Sequence, residues 1–218
     1  MRGALIAFEG IDGAGKFTQL HRTKGWLEDA DYIVGWSSEP NRPDWGSARA
    51  GSPLGGAIDA VLTGKEKAPE DPFEFQRMYV LDRAQDIFCF IRPHLTKGHP
   101  FLIERYALST IAYGMLSGRP AEDFIRLHSD VLGPSMLWPH VTVLLDVSGK
   151  EAARRIAESR GKPEYFERAD KLERVRANYL AIAKRPEFEK KVLVVNGELS
   201  EDEVFADVRS RLLGFFGE

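Results

Sequence analysis

The stretch FEGIDGAGKFT, residues 8–18, constrains this chain more than any other part of it. It fits the pattern G-x-x-x-x-G-K-[ST] from Gly10 through Lys16, then places Phe17 where the pattern has a hydroxyl. Gly10, Gly13 and Gly15 directly follow an apolar run. Lacking β-carbons, they let the backbone turn tightly enough to aim several N–H groups, Ala14 among them, at the oxygens of one anion. Lys16 adds a point charge, and a helix beginning there adds the positive end of its dipole. A structural bend without a ligand is the bland alternative, but strand, glycines, lysine and helix occur in the order that phosphate binding requires. The spacing does not fit the dinucleotide fingerprint, which disfavours hydride transfer.

The rest of the chain repeats the same unit, a short apolar run followed by a helical pattern. The runs are residues 4–8, 32–36, 101–103, 141–145 and 192–195. Helix starts are readable at Asp71, with Pro72 and Glu74, and at the capping-box pairs Ser148 with Glu151 and Ser200 with Glu203. Buried strands alternating with helices predict an α/β fold, a five-stranded parallel sheet with helices on both faces. With the opening motif this is the three-layer sandwich of the P-loop NTPases, expected as a single domain over residues 1–218. Ligands in such sheets sit at the carboxyl ends of the strands.

Composition excludes more than it assigns. With 30 basic against 33 acidic residues the net charge is -3, which gives no bulk electrostatic reason to bind nucleic acid or an anionic membrane. No signal peptide and no apolar run approaching the ~18 residues of a membrane span is evident, so a cytoplasmic protein is expected. Cys89, the single cysteine, lies in IFCFI and reads as a buried, inert thiol. His21, His94, His99, His128 and His140 show no metal-ligand spacing.

Phe17 raises a specific difficulty, because the hydroxyl it replaces normally ligates the magnesium that bridges the phosphates. Thr18 is the adjacent hydroxyl, turned about 100° around the helix. Carboxylates holding a hydrated metal are the other route, with Asp12 and Glu104 available. Glu104 and Arg105 end the run HPFLIERY, where a metal-binding acid of this fold class is expected.

With these residues in place the chain resembles the thymidylate kinase family. The opening motif is similar to that family's E-G-x-D-G-A-G-K, and ERYALSTIAY (104–113) to its D-R-Y-x-x-S-x-x-A-Y. VLDRAQ (80–85), SPLGGAIDAVLTG (52–64) and FERADKLERVRANYL (166–180) resemble further segments in the family's order. The resemblance implies ATP-dependent phosphorylation of dTMP to dTDP with Mg2+, in a homodimer. It implies that Gly10, Gly13, Ala14, Gly15, Lys16, Phe17 and Thr18 surround the donor ATP, and that Arg105 bridges donor and acceptor phosphates with Asp12 beside the acceptor. It further implies that a long helix, 72–95, carries Tyr79 to stack on the base and Arg83 to bond it. Thr110 would also bond the base, Tyr113, one turn after Ser109, would lie against the deoxyribose, and Ser109 would be among the substrate-binding residues. Glu104 stands for the usual aspartate, one methylene longer, and with Thr18 is the proposed metal ligand.

Two regions depart from regular elements. The lid is expected at 153–168, ARRIAESRGKPEYFER, with Gly161 and Pro163 as breakers. Because the loop has Gly13 where some family members carry arginine, Arg155 or Arg160 of the lid is the expected catalytic cation. Segment 41–51, NRPDWGSARAG, replaces a short glycine turn; it either brings Arg42 or Arg49 over the acceptor or is a surface insertion. The competing functions are a kinase for another deoxynucleotide or a deoxynucleoside, and a non-catalytic nucleotide-binding relative motivated by Phe17.

Overall fold

The computed structural model describes residues 3–42, 51–160 and 168–217, with the Arg160 side chain excepted. Its strands are β1 (Leu5–Glu9), β2 (Gly35–Ser38), β3 (Phe101–Glu104), β4 (Val141–Asp146) and β5 (Val192–Asn196). They form one parallel sheet in the order β2-β3-β1-β4-β5. Every residue of β1 and β3 is buried, as an apolar strand covered on both faces requires. β5 is an edge strand with Val194 exposed.

The helices are α1 (Lys16–Asp29), α2 (Pro53–Leu62), α3 (Pro72–Asp86), α4 (Arg92–Thr96), α5 (Ala107–Gly114), α6 (Ala121–Leu132), α7 (Gly149–Arg160), α8 (Ala169–Ala183) and α9 (Glu201–Phe216). α1 packs with α9, α3, α5 and α6 pack on one another, and α8 packs between α5 and α7. Ser200 and Glu203 complete their capping box at α9. Asp71 accepts from Phe73 N–H at 2.9 Å and starts α3. At α7 only half of the box forms: Ser148 Oγ accepts from Glu151 N–H at 3.4 Å, while the Glu151 carboxylate turns to Arg154 and Arg155.

Three local expectations are corrected. The second strand runs from Gly35 to Ser38 rather than over 32–36, because Ile33 is exposed and Ser37 and Ser38 pair with Ile103 and Glu104. The long helix expected over 72–95 widens at Ile87–Ile91 into a π-helical turn between α3 and α4. That turn rotates Phe88 and Cys89 outward, so the thiol is exposed instead of buried.

The topology places β1 between β3 and β4, strands reached from opposite directions along the chain. The loop after β1 therefore opens at the point where the strand order reverses, where α/β sheets hold their ligands.

Candidate active site

The glycine positions in the opening loop are dictated by contact as well as by dihedral angle. Gly10 has φ 141° and Gly13 φ 78°, and a β-carbon would meet Leu145 O at 2.7 Å in the first and Ala152 O at 2.6 Å in the second. Gly15 closes the turn at φ 86° as the N-cap of α1. Lys16 lies under this turn, buried, with Nζ donating to Ile11 O at 2.8 Å. Burial, and next the charge of Arg105, push its pKa down to about 8.

Glu9, the last residue of β1, was not singled out in the sequence. It is fully buried and accepts from Tyr106 N–H at 2.9 Å, Ser109 N–H at 3.2 Å, Ser109 Oγ at 2.5 Å and Tyr179 OH at 3.1 Å. One carboxylate thus ties the root of the loop to the starts of α5 and the middle of α8. Ser109 lines the cleft, but its hydroxyl is engaged with Glu9 and lies 2.7 Å from Tyr179 OH.

At the carboxyl end of β3, Arg105 takes φ 59°, an uncommon left-handed conformation for a residue with a side chain, while its N–H donates to Phe8 O at 3.0 Å. This turn sends the guanidinium toward the loop, where it forms an ion pair with Asp12. Tyr113 OH donates to the other Asp12 oxygen at 2.7 Å and accepts from Arg105 Nη1 at 3.4 Å. Burial is the largest influence on Arg105 and opposes its charge, but Asp12 together with Tyr113, Tyr179 and Glu104 outweighs it and holds the pKa well above the ordinary value. Glu104, also buried, accepts from Ser38 Oγ at 3.4 Å.

These groups form one wall of a cleft enclosing ≈ 1040 Å³ of empty space, open mouth included. Tyr79, Gln76, Thr110 and Arg42 line it farther from the loop. Burial raises the Tyr79 hydroxyl well above its usual range against the opposing charges of Arg105 and Arg42, so both cations lie near that phenol. Arg42, inside the divergent segment, pairs through Nε with Asp59 of α2 at 3.1 Å. Arg49 and Trp45 of that segment lie outside the described residues.

Arg83 is placed behind the cleft wall rather than in it. Its side chain is 0% exposed. Nε donates to Glu39 Oε1 at 3.0 Å, Nη2 to Glu39 Oε2 at 2.6 Å and to Thr110 Oγ1 at 3.1 Å, and Nη1 bonds His128 Nε2. Burial and Arg83 push His128 down to about 3, so it is neutral and accepts this bond, its Nδ1 donating to Phe124 O at 2.7 Å. Asp82 and Asp86 on the same helix hold Asn41, Ser52 and Ser37. The end of β2 and the start of α2 are thereby fastened to α3.

Phe17 does not fill the cradle. It is 49% exposed, stacks on His21 at 4.0 Å between ring centroids, and forms part of the cleft rim. Thr18, the other expected hydroxyl, lies outside the cleft wall. Among the described residues no cluster of three or more acidic, histidine or cysteine side chains could cage a metal. Glu104, which lines the cleft and acts electrostatically on Lys16, is a donor that fits a magnesium keeping most of its waters and sharing phosphate oxygens. Of the lid residues, Arg155 is tied to Glu151 at 2.8 Å and donates to Gly197 O at 3.0 Å. Arg160 ends α7, and 161–167 lie outside the described residues.

A glycine-lined turn, a buried lysine and an arginine held between that turn and an aromatic pocket define a phosphate-handling α/β protein of the P-loop class. Comparison with known proteins narrows the class: the thymidylate kinase family model matches residues 8–208. A probable thymidylate kinase of Pyrococcus abyssi is 32% identical over 219 residues, 98% of this chain and 100% of that protein. One of Thermococcus gammatolerans is 30% identical over 206 residues, 94% of each chain. A thymidylate kinase of Oleidesulfovibrio alaskensis is 31% identical over 221 residues, 97% of this chain and 98% of that one. The chain belongs to the thymidylate kinase family.

Proposed function

We propose that this chain transfers the terminal phosphoryl group of ATP to the 5′-phosphate of dTMP, giving ADP and dTDP. The observation that carries the reading is the Asp12–Arg105–Tyr113 cluster: a single guanidinium stands between the phosphate loop and the Tyr79 pocket, in reach of two anions at once. Loop N–H groups and Lys16, released from Ile11 O, receive the donor phosphates. Arg105 neutralises charge as it spreads over the transferred group, and is most effective because its position is fixed beforehand. Asp12 and Tyr113 position Arg105, and Tyr113 also bounds the sugar. Tyr79 offers its ring to the base, and Arg42 joins Arg105 on the acceptor phosphate.

Magnesium, when bound, neutralises and orients the donor phosphates. Glu104 would hold it, through water, since Thr18 lies outside the cleft wall and Phe17 has no ligating atom. Arg155 is engaged within its own helix and with the turn after β5, which favours Arg160 as the lid cation. We read the chain as a single catalytic domain that works in the cytoplasm as a homodimer, as the family supports. No described helix is long and apolar enough to cross a membrane.

ADP release across dTMP, dUMP, dCMP, thymidine and deoxycytidine tests the assignment. dTMP should give the highest kcat/KM, and Lys16→Ala should lower turnover on every acceptor roughly a hundredfold to a thousandfold. Phosphorylation of nucleosides but of no monophosphate would overturn it.

A further inference from the structure

Gln76 projects from α3 one turn before Tyr79 and two turns before Arg83, on the same helical face. It is 4% exposed and forms part of the cleft wall, yet its amide has no hydrogen-bond partner among the described residues. Its amide atoms are not shut off from solvent and therefore open on the cleft, and an amide held there by a buried stem without a protein partner marks a place where a ligand completes the bonding.

Its neighbours dictate what that ligand presents. Glu39, His128 and Thr110 engage the Arg83 guanidinium, so it is not presented to the cleft as a free cation. Thr110 Oγ1 accepts from Arg83 with one lone pair, which turns the hydroxyl hydrogen away from the guanidinium and makes it available to donate into the cleft. An amide that both donates and accepts, beside a hydroxyl with its hydrogen available, complements an imide edge of carbonyl, N–H and carbonyl. An amide alone would turn over and serve cytosine equally well. The Thr110 hydroxyl, one lone pair already taken by a guanidinium, favours a base carbonyl over the cytosine amino group.

We propose that Gln76 is a specificity-determining residue that reads the base of the acceptor, its Oε1 accepting the imide N–H and its Nε2 donating to an adjoining carbonyl. The inference rests on the pyrimidine monophosphate reading given above.

Steady-state kinetics on the full chain, with dTMP and dCMP as acceptors, test it in Gln76→Leu and Gln76→Glu. Gln76→Leu should raise KM for dTMP roughly tenfold to a hundredfold, leaving kcat and KM for ATP within about twofold. Gln76→Glu should lower the dTMP-to-dCMP ratio of kcat/KM by roughly tenfold, because a carboxylate accepts from the cytosine amino group and cannot donate to a carbonyl. Thermal unfolding midpoints of both variants establish that each is folded. An unchanged KM for dTMP in Gln76→Leu, or equal loss on both acceptors in Gln76→Glu, overturns the assignment of Gln76 while the acceptor reading stands. A wild-type enzyme that binds ATP and leaves dTMP unphosphorylated overturns the acceptor reading itself, and this inference with it.

Discussion

The two ends of the cleft handle buried charge in opposite ways. Around Arg83, a guanidinium, a carboxylate, a neutral histidine and a threonine satisfy one another; the guanidinium and the imidazole stay behind the wall, while Glu39, Thr110 and Gln76 line the cavity. Around Lys16 and Arg105 the cations are held by Ile11 O and Asp12, groups that a phosphate can displace. The first arrangement builds shape and is expensive to break. The second keeps charge available and costs the free protein some solvation, as the lowered pKa of Lys16 records.

Removing a cation at either end should therefore have different consequences. Lys16→Ala should lower kcat roughly a hundredfold to a thousandfold while leaving the unfolding midpoint in urea nearly unchanged. Arg83→Met should instead destabilise the fold by about 3–5 kcal/mol, because it strands Glu39 in the interior. Urea titration checks this, with Glu39→Gln added to Arg83→Met recovering part of the loss. Equal stability of wild type and Arg83→Met would erase the contrast.

pH sharpens it. Above about 8 the folded protein loses the Lys16 proton, so calorimetric Kd for ATP should weaken by up to about tenfold between pH 7 and pH 9, and stay flat in Lys16→Ala. The stability term has the opposite sense. From about 8 up to its unfolded value near 10.5 the unfolded lysine binds more proton than the folded one, so this group favours folding increasingly as pH rises through that window. The smallest effect expected is that of Phe17→Thr, which should lower the half-saturating Mg2+ concentration roughly severalfold with kcat within about twofold. A far larger gain in kcat would show that the phenyl ring, rather than Glu104, governs metal use.

The sheet and the loop were legible because their signals are local: apolar runs, and glycines at positions where a β-carbon collides with backbone. The family motifs likewise led to Arg105, Asp12 and Tyr113, which do meet. The residues missed act across long sequence separations. Glu9 satisfies donors on α5 and α8, and although it opens the quoted family motif, the motif does not say which distant donors it serves. His128 lies 45 residues from the arginine it accepts from. Gln76 was within reach of sequence reasoning, since it shares a helical face with Tyr79 and Arg83, but a glutamine on a helix usually reads as solvated. β2 was displaced because an exposed isoleucine imitates a strand start more strongly than two serines do.

Gly13 lies against the backbone of Ala152 so closely that any side chain there collides with a carbonyl, which no trimming of Ala152 would remove. An evolutionary route is thereby closed. A point mutation to arginine at position 13 would not install a cation in the loop until the first turn of α7 had shifted, so a lineage with this packing must draw further positive charge from elsewhere in the chain.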